Sequence, residues 1–159
     1  MTTKVNPIPE GFHTVTLYLC VKDAARAIEF YKKAFGATEV MRLAEPSGRI
    51  GHAEIRIGDS PVMLADEFPE MGLLSPESLG GSAVRINLFV EDSDALTSQA
   101  IAAGAKVQRP VADQFYGERS GTIMDPFGHI WLISTRIEDV SPQEMQRRYD
   151  DLMKQQSPA

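Results

Sequence analysis

The sequence predicts an α+β fold in which two β-α-β-β-β modules form a rolled, mostly antiparallel sheet with helices outside. Three observations predict it. Runs rich in β-branched and aromatic residues alternate with two segments of helical periodicity. The order of these elements occurs twice along the chain. Corresponding residues are also separated by a nearly constant offset. Val21-Lys22-Asp23 recurs as Val90-Glu91-Asp92 after 69 residues, and Gly36-Ala37 recurs as Gly104-Ala105 after 68. Arg49-x-Gly51 and Gly58 recur as Arg119-x-Gly121 and Gly128 after 70. Offsets that drift by so little across a helix and two turns mark a duplicated unit. Two copies that each present one apolar sheet face should pair.

Taken in order, residues 1–11 form an irregular lead-in with two prolines and a glycine. His13–Val21 reads as a strand. Asp23 caps a helix whose apolar positions Ala24, Ala27, Ile28, Tyr31, Ala34 and Phe35 recur at helical spacing, and Gly36 stops it. Strands follow at Glu39–Ala44, Ile50–Ile57 and Pro61–Ala65, which closes a first module spanning about residues 12–66. Residues 67–82, rich in proline and glycine, read as a linker or surface loop. A second module, about 83–136, begins with a strand at Ala83–Glu91 and a helix capped by Asp92 and Ser93 that runs to Ala103. Strands at Lys106–Ala112, Gly121–Met124 and Ile130–Ser134 complete it. The last two are joined by a turn at Asp125-Pro126-Phe127-Gly128, where Pro126 pre-sets the backbone angle. Ser141-Pro142-Gln143-Glu144 is a capping box opening a C-terminal helix over about 141–155, with Met145, Tyr149, Leu152 and Met153 along one face. That helix either packs on its own sheet or clasps a second subunit.

The 159 residues suit a single domain built from the two modules. A net charge of −6 argues against a nucleic-acid partner. No apolar run approaches the roughly 20 residues of a membrane span. The N-terminus lacks the apolar core of a signal peptide, and the single cysteine, Cys20, suits a reducing compartment, so a cytoplasmic protein is expected. Cys20 alternates with Leu19 and Val21 and reads as a buried, inert thiol. Asp23 and Asp92 read as helix caps, and Asp125 as a turn residue.

The run V-K-D-A-A-R-A-I-E-F-Y-K-K-A-F-G-A (21–37), the paired modules and the D-P-F-G-H hairpin resemble the vicinal oxygen chelate superfamily of glyoxalases, bleomycin resistance proteins and extradiol dioxygenases. Within it, Y-G-E-R-S-G-T-I-M-D-P-F-G-H (116–129) and D-V-S-P-Q-E-M (139–145) resemble the PhnB-like branch. The resemblance implies the fold, and in its metal enzymes a divalent cation that polarises substrate oxygens. It also implies where the ligands would stand. The first-strand positions are Thr16 and Arg85, seven residues before Asp23 and Asp92. The fourth-strand positions are Leu132 and its first-module counterpart, Val62 or, with a one-residue slip, Met63. None is a good ligand, and Arg85 would repel a cation. No metal and no other cofactor is therefore expected. His13 should face away from Thr16, and His129 sits in the turn. His52 and Glu54 share a strand face and could supply two ligands, although such a pair is more often a solvent-facing stripe.

What remains is a cleft. Arg85, Asn87 and Phe89 share one face of the fifth strand. With Tyr18 and Thr16 on the matching first strand, His52 and Glu54 beside them, and Tyr116, Glu118 and Arg119 at the opening, they predict a mixed aromatic and polar pocket for a small organic molecule. Arg85 either binds an anion there or pairs with a neighbouring carboxylate. Three functions are open: a metal-free small-molecule binder; a divalent-metal lyase, isomerase or dioxygenase with displaced ligands; and a ligand-free dimeric scaffold. A homodimer is expected, with modules pairing within the chain or between subunits.

Overall fold

The computed structural model describes residues 4–158; residues 1–3 of the expected lead-in, and residue 159, lie outside the described residues. Each half of the chain forms its own four-stranded sheet. In the first half β1 (Leu17–Val21), α1 (Ala24–Phe35), β2 (Thr38–Ala44), β3 (Ile50–Ile57) and β4 (Ser60–Asp66) give the strand order β1-β4-β3-β2. In the second half β5 (Arg85–Phe89), α3 (Ser93–Ala103), β6 (Lys106–Asp113), β7 (Glu118–Met124) and β8 (Ile130–Arg136) give β5-β8-β7-β6. The first strand of each sheet is parallel to the fourth, and the other pairings are antiparallel. The duplicated β-α-β-β-β architecture is thus present.

Two boundaries move for visible reasons. β1 starts at Leu17 rather than His13, because the position opposite Thr16 is Pro61, which has no N–H to extend the ladder. β7 starts at Glu118, three residues early, since Glu118 and Arg119 pair with Arg136 and Thr135 at the end of β8. The 67–82 connection is more ordered than a plain linker. It holds a 3₁₀ turn at Pro69–Met71 and a short helix α2 (Pro76–Leu79) capped by Ser75, whose own N–H is held by Glu67 at 2.6 Å. Arg49 stacks over Phe68 of this segment, 3.9 Å from the ring centre.

The roll is not closed within the chain. The two sheets stay separate, and the modules meet through their helices, with α1 packed on α3. The composition of α1 explains this. Ala24, Ala27, Ile28, Phe30, Tyr31, Ala34 and Phe35 are all buried, a wider apolar stripe than one sheet can cover. Ile28 and its neighbours pack with Leu19, Val21, Ile55 and Leu64 of the first sheet in one core that also contains Ile123, Trp131 and Ile133 of the second. Rings of Tyr31, Phe35, Phe127 and Trp131 meet at the seam. Trp131 is a core residue, as its alternation with Leu132 suggests.

Polar contacts fix the seam. Asp125, fully enclosed, accepts from Tyr31 Oη at 2.6 Å and Trp131 Nε1 at 2.8 Å through one oxygen, and from the Phe127 and His129 backbone N–H groups through the other. It is therefore a turn residue and also a tie between modules. His129 donates from Nε2 to the Cys20 carbonyl, and Gln99 on α3 caps the Lys33 and Ala34 carbonyls at the end of α1.

At the outer edge of the first module, Glu39 accepts a forked pair of bonds from Arg42 and another from Lys32. These hold its carboxyl down from 4.5 to about 2. A pKa depressed on folding means the contribution is complete above 4.5 and disappears as pH falls toward about 2. Glu39→Gln should accordingly flatten the acid limb of stability in that window. Urea midpoints measured across it would show the same slope for both proteins if the pair contributes nothing.

The C-terminal helix α4 (Pro142–Gln156) buries no residue fully. Arg148 anchors it, reaching Glu138 and the Phe115 carbonyl, and Tyr149 packs on Phe115. Among the described residues no helix is long and apolar enough to cross a membrane.

Candidate functional site

Each sheet turns one face to the helices and leaves the other open. On the second sheet the open face carries Arg85, Asn87 and Phe89 of β5, as alternation requires. Register places Asn87, Leu132, Thr122 and Arg109 in one row across the four strands. The next row holds Phe89, Ser134 and Ser120. A cavity of about 360 Å³ lies over this face, lined by Arg85, Gln108, Arg109, Tyr116, Thr122 and Leu132.

Its polar groups are mostly donors. Arg109 Nη2 donates to Ser120 Oγ at 3.2 Å, and Tyr116 Oη lies 3.3 Å from the same hydroxyl. Ser134 donates to Asn87 Oδ1 at 2.8 Å, which leaves the Asn87 amide N–H groups directed elsewhere. Arg42, Arg49, Arg119, Arg136, Arg147 and Arg148 each meet a carboxylate, whereas among the described residues none lies within salt-bridge distance of Arg85 or Arg109. The alternative of an ion pair for Arg85 is thus not realised.

The first sheet's open face carries Tyr18, Cys20, His52 and Glu54. Tyr18 Oη lies 2.8 Å from His52 Nδ1, and His52 Nε2 lies 3.3 Å from Glu54 Oε1. Cys20 is half-buried on this face rather than enclosed in the core, because it stands in phase with Tyr18, opposite to Leu19 and Val21. Partial burial, with Glu67 and Asp66 nearby, pushes its thiol upward and keeps it protonated.

The expected site residues therefore fall into two groups on two sheets. Arg85 and Tyr116 come together around the cavity, with Asn87 on the same face. Tyr18, His52 and Glu54 come together on the other sheet. Thr16 sits half-buried just before β1. Arg119 joins neither group: β7 turns Ser120 and Thr122 to the open face, and Arg119 instead pairs with Asp94 at the start of α3 and with Asp113. Arg109 was not anticipated. Simple alternation would set it in phase with Val107, whose partner Ile123 belongs to the core, but an irregularity between Val107 and Arg109 turns it to Thr122 and the open face.

Strand register also settles the module correspondence. Tyr18 pairs with Met63 as Asn87 pairs with Leu132, so Met63 is the counterpart of Leu132, and Val62 belongs to the core. The family's ligand positions are Thr16 and Met63 in the first module and Arg85 and Leu132 in the second: a hydroxyl, a thioether, a guanidinium and a hydrocarbon. That set does not fit a divalent cation. Among the described residues, no three His, Cys, Asp or Glu side chains are grouped to hold one elsewhere.

Comparison with known proteins agrees with this architecture. Proteins of Mycobacterium bovis and Mycobacterium tuberculosis, both described as uncharacterized, are 44% identical over 132 residues, 81% of this chain and 87% and 78% of theirs. Among solved structures, a gene product of Arabidopsis thaliana superposes with a TM-score of 0.61 at 27% identity, over 77% of this chain and 98% of its own. The PhnB protein of Bacillus cereus gives 0.61 at 17% identity, over 77% and 99%, a likeness of fold. Residues 11–133 match the Glyoxalase/Bleomycin resistance protein/Dioxygenase superfamily, and the chain belongs to that superfamily.

Proposed function

We propose that the protein is a metal-free binder of a small organic oxyanion, a carboxylate or phosphate, held on the open face of the second sheet. The observation that carries this reading is the convergence of Arg85 and Arg109, both without carboxylate partners among the described residues, on one cavity of about 360 Å³ beside Tyr116 and Thr122. Two such guanidiniums on one side of a sheet make a donor-rich site that an oxyanion complements. Leu132 and Tyr116 give the apolar wall that an organic group needs.

The same faces support a homodimer. Leu43 and Phe89 are 59% and 67% exposed on open sheet faces, and the Tyr149 face of α4 is also open. A second copy is the partner that would cover this apolar surface.

Calorimetric titration with benzoate and with phenyl phosphate tests the ligand reading and separates the two oxyanions. Arg85→Ala and Arg109→Ala should each weaken the better probe about 10- to 100-fold, the value of one charge-assisted hydrogen bond. Absence of binding by either probe, or unchanged affinity in both variants, overturns the proposal. Sedimentation of the same samples reads the dimer, and a monomer at micromolar concentration would refute that part alone.

A further inference from the structure

The first sheet carries a second constellation that anion binding does not use. Tyr18 and Glu54 stand in one row, on either side of Met63 on β4. His52 occupies the adjacent row, opposite Leu43 on β2. The small side chain of Ala65 on β4 leaves room for the Tyr18 and His52 rings to approach, with centroids 5.4 Å apart and planes inclined by 50°. The result is a continuous chain: Tyr18 Oη to His52 Nδ1 at 2.8 Å, then His52 Nε2 to Glu54 Oε1 at 3.3 Å.

This is the arrangement of an activated nucleophile: a hydroxyl in hydrogen-bond reach of a base that a third group orients. We propose that Tyr18, His52 and Glu54 form a base-assisted nucleophile, with the Tyr18 oxygen attacking and an electrophilic acyl donor, such as an activated ester, as the class of substrate. His52 holds its proton on Nε2, which donates to the Glu54 carboxylate, and this leaves the Nδ1 lone pair facing the Tyr18 hydroxyl. In the step itself, Tyr18 Oη bonds to the acyl carbon while its proton passes to His52 Nδ1. The bond to the leaving group breaks, and its electron pair departs with that group. The products are acyl-Tyr18, an imidazolium held against the Glu54 carboxylate, and the free leaving group.

Two further observations fit this role. Partial burial, with Cys20 beside it, pushes the Tyr18 hydroxyl up from the ordinary phenol range; like any phenol it is protonated at neutral pH, so attack needs a base to take the proton. Tyr18 is also the tyrosine, of four in the chain, that has an imidazole for a partner. Tyr31 donates to Asp125 in the core and Tyr116 lies beside Ser120. Tyr18 itself is 54% exposed, open to a reagent. The second sheet has no copy of the array, since Asn87 and Thr122 hold the corresponding places.

The test uses the full chain and 4-nitrophenyl acetate, with acetylation sites mapped by mass spectrometry over time. Tyr18 should acetylate at least about 10-fold faster than Tyr149, at the low end of what a positioned base supplies. His52→Gln should bring Tyr18 down to the Tyr149 rate. Glu54→Gln should slow it several-fold and shift the midpoint of its pH profile, which a merely structural contact would not do. The Tyr116 rate serves as an internal control for folding in each variant. Equal rates at Tyr18 and Tyr149, a Tyr18 rate indifferent to His52→Gln, or acetyl captured on His52 instead of Tyr18 would each overturn the assignment. The constellation shares no residue with the oxyanion cavity, so benzoate affinity and acetylation report on the two proposals separately.

Discussion

Asp125→Ala is expected to destabilise the protein by about 3–5 kcal/mol, the upper range for a single substitution. Four donors converge on this carboxylate: Tyr31 Oη, Trp131 Nε1 and the backbone N–H groups of Phe127 and His129. Tyr31 and Trp131 are completely buried, so water cannot replace the lost acceptor without opening the seam. Burial and the adjacent Asp125 also push the Tyr31 hydroxyl well above its usual range, which keeps it a donor at any pH where the protein is folded. Asp125→Asn is the sharper comparison. Its amide oxygen can keep the two backbone bonds, but its NH2 group then faces the Trp131 N–H, donor against donor, while the Tyr31 hydroxyl can turn to accept from it. Tyr31→Phe should add to the Asn variant's loss, because it removes the one group there that can accept from the new amide. Urea denaturation followed by Trp131 fluorescence measures all three. A cost below about 1 kcal/mol for Asp125→Ala would show that the network is dispensable.

Gly117→Ala is the second large effect, expected at about 2–4 kcal/mol. Gly117 has φ +87°, where an L side chain is strained, and its added Cβ would stand 2.6 Å from the Glu138 carbonyl oxygen and 2.8 Å from Val140 Cγ2. The nearer atom is backbone and cannot swing aside. Its position explains the tight approach, because the Gly117 carbonyl accepts from both Ile137 and Glu138 N–H groups where the chain leaves β8. Displacing that segment also displaces Glu138, one of the anchors of Arg148 and hence of α4. Loss of stability should therefore come with faster proteolysis between residues 137 and 141. Gly36→Ala is the control for backbone strain alone: φ there is +67°, and no atom lies within 4 Å of the place its Cβ would take.

The fold was legible where periodicity and punctuation act locally. α1 and α3 begin after Asp23 and Asp92 and stop at Gly36 and Gly104, the residues that cap and end them. Ends set by a partner strand were less legible. Whether Thr16 joins β1 depends on Pro61, and whether Glu118 joins β7 depends on Arg136, contacts that no local pattern encodes. The candidate site divides the same way. Arg85 and Asn87 follow from alternation on β5, and His52 with Glu54 from alternation on β3. Arg109 was hidden because an irregularity in β6 breaks the alternation just before it. The bond from Tyr18 to His52 requires β4 to lie between β1 and β3, a strand order that spacing along the chain does not give. Asp125 shows both levels in one side chain. One oxygen closes a local turn, as its D-P-F-G setting announces, while the other meets Tyr31, 94 residues away in sequence.

The wide apolar stripe of α1 has a further consequence. Separated from its twin, the first module would leave Phe30, Tyr31 and Phe35 facing water, and the second would leave Phe127 and Trp131 without cover. A duplicated chain of this kind is two repeats in sequence but one unit in thermodynamics: neither copy is a domain in its own right, and the pair melts together or not at all.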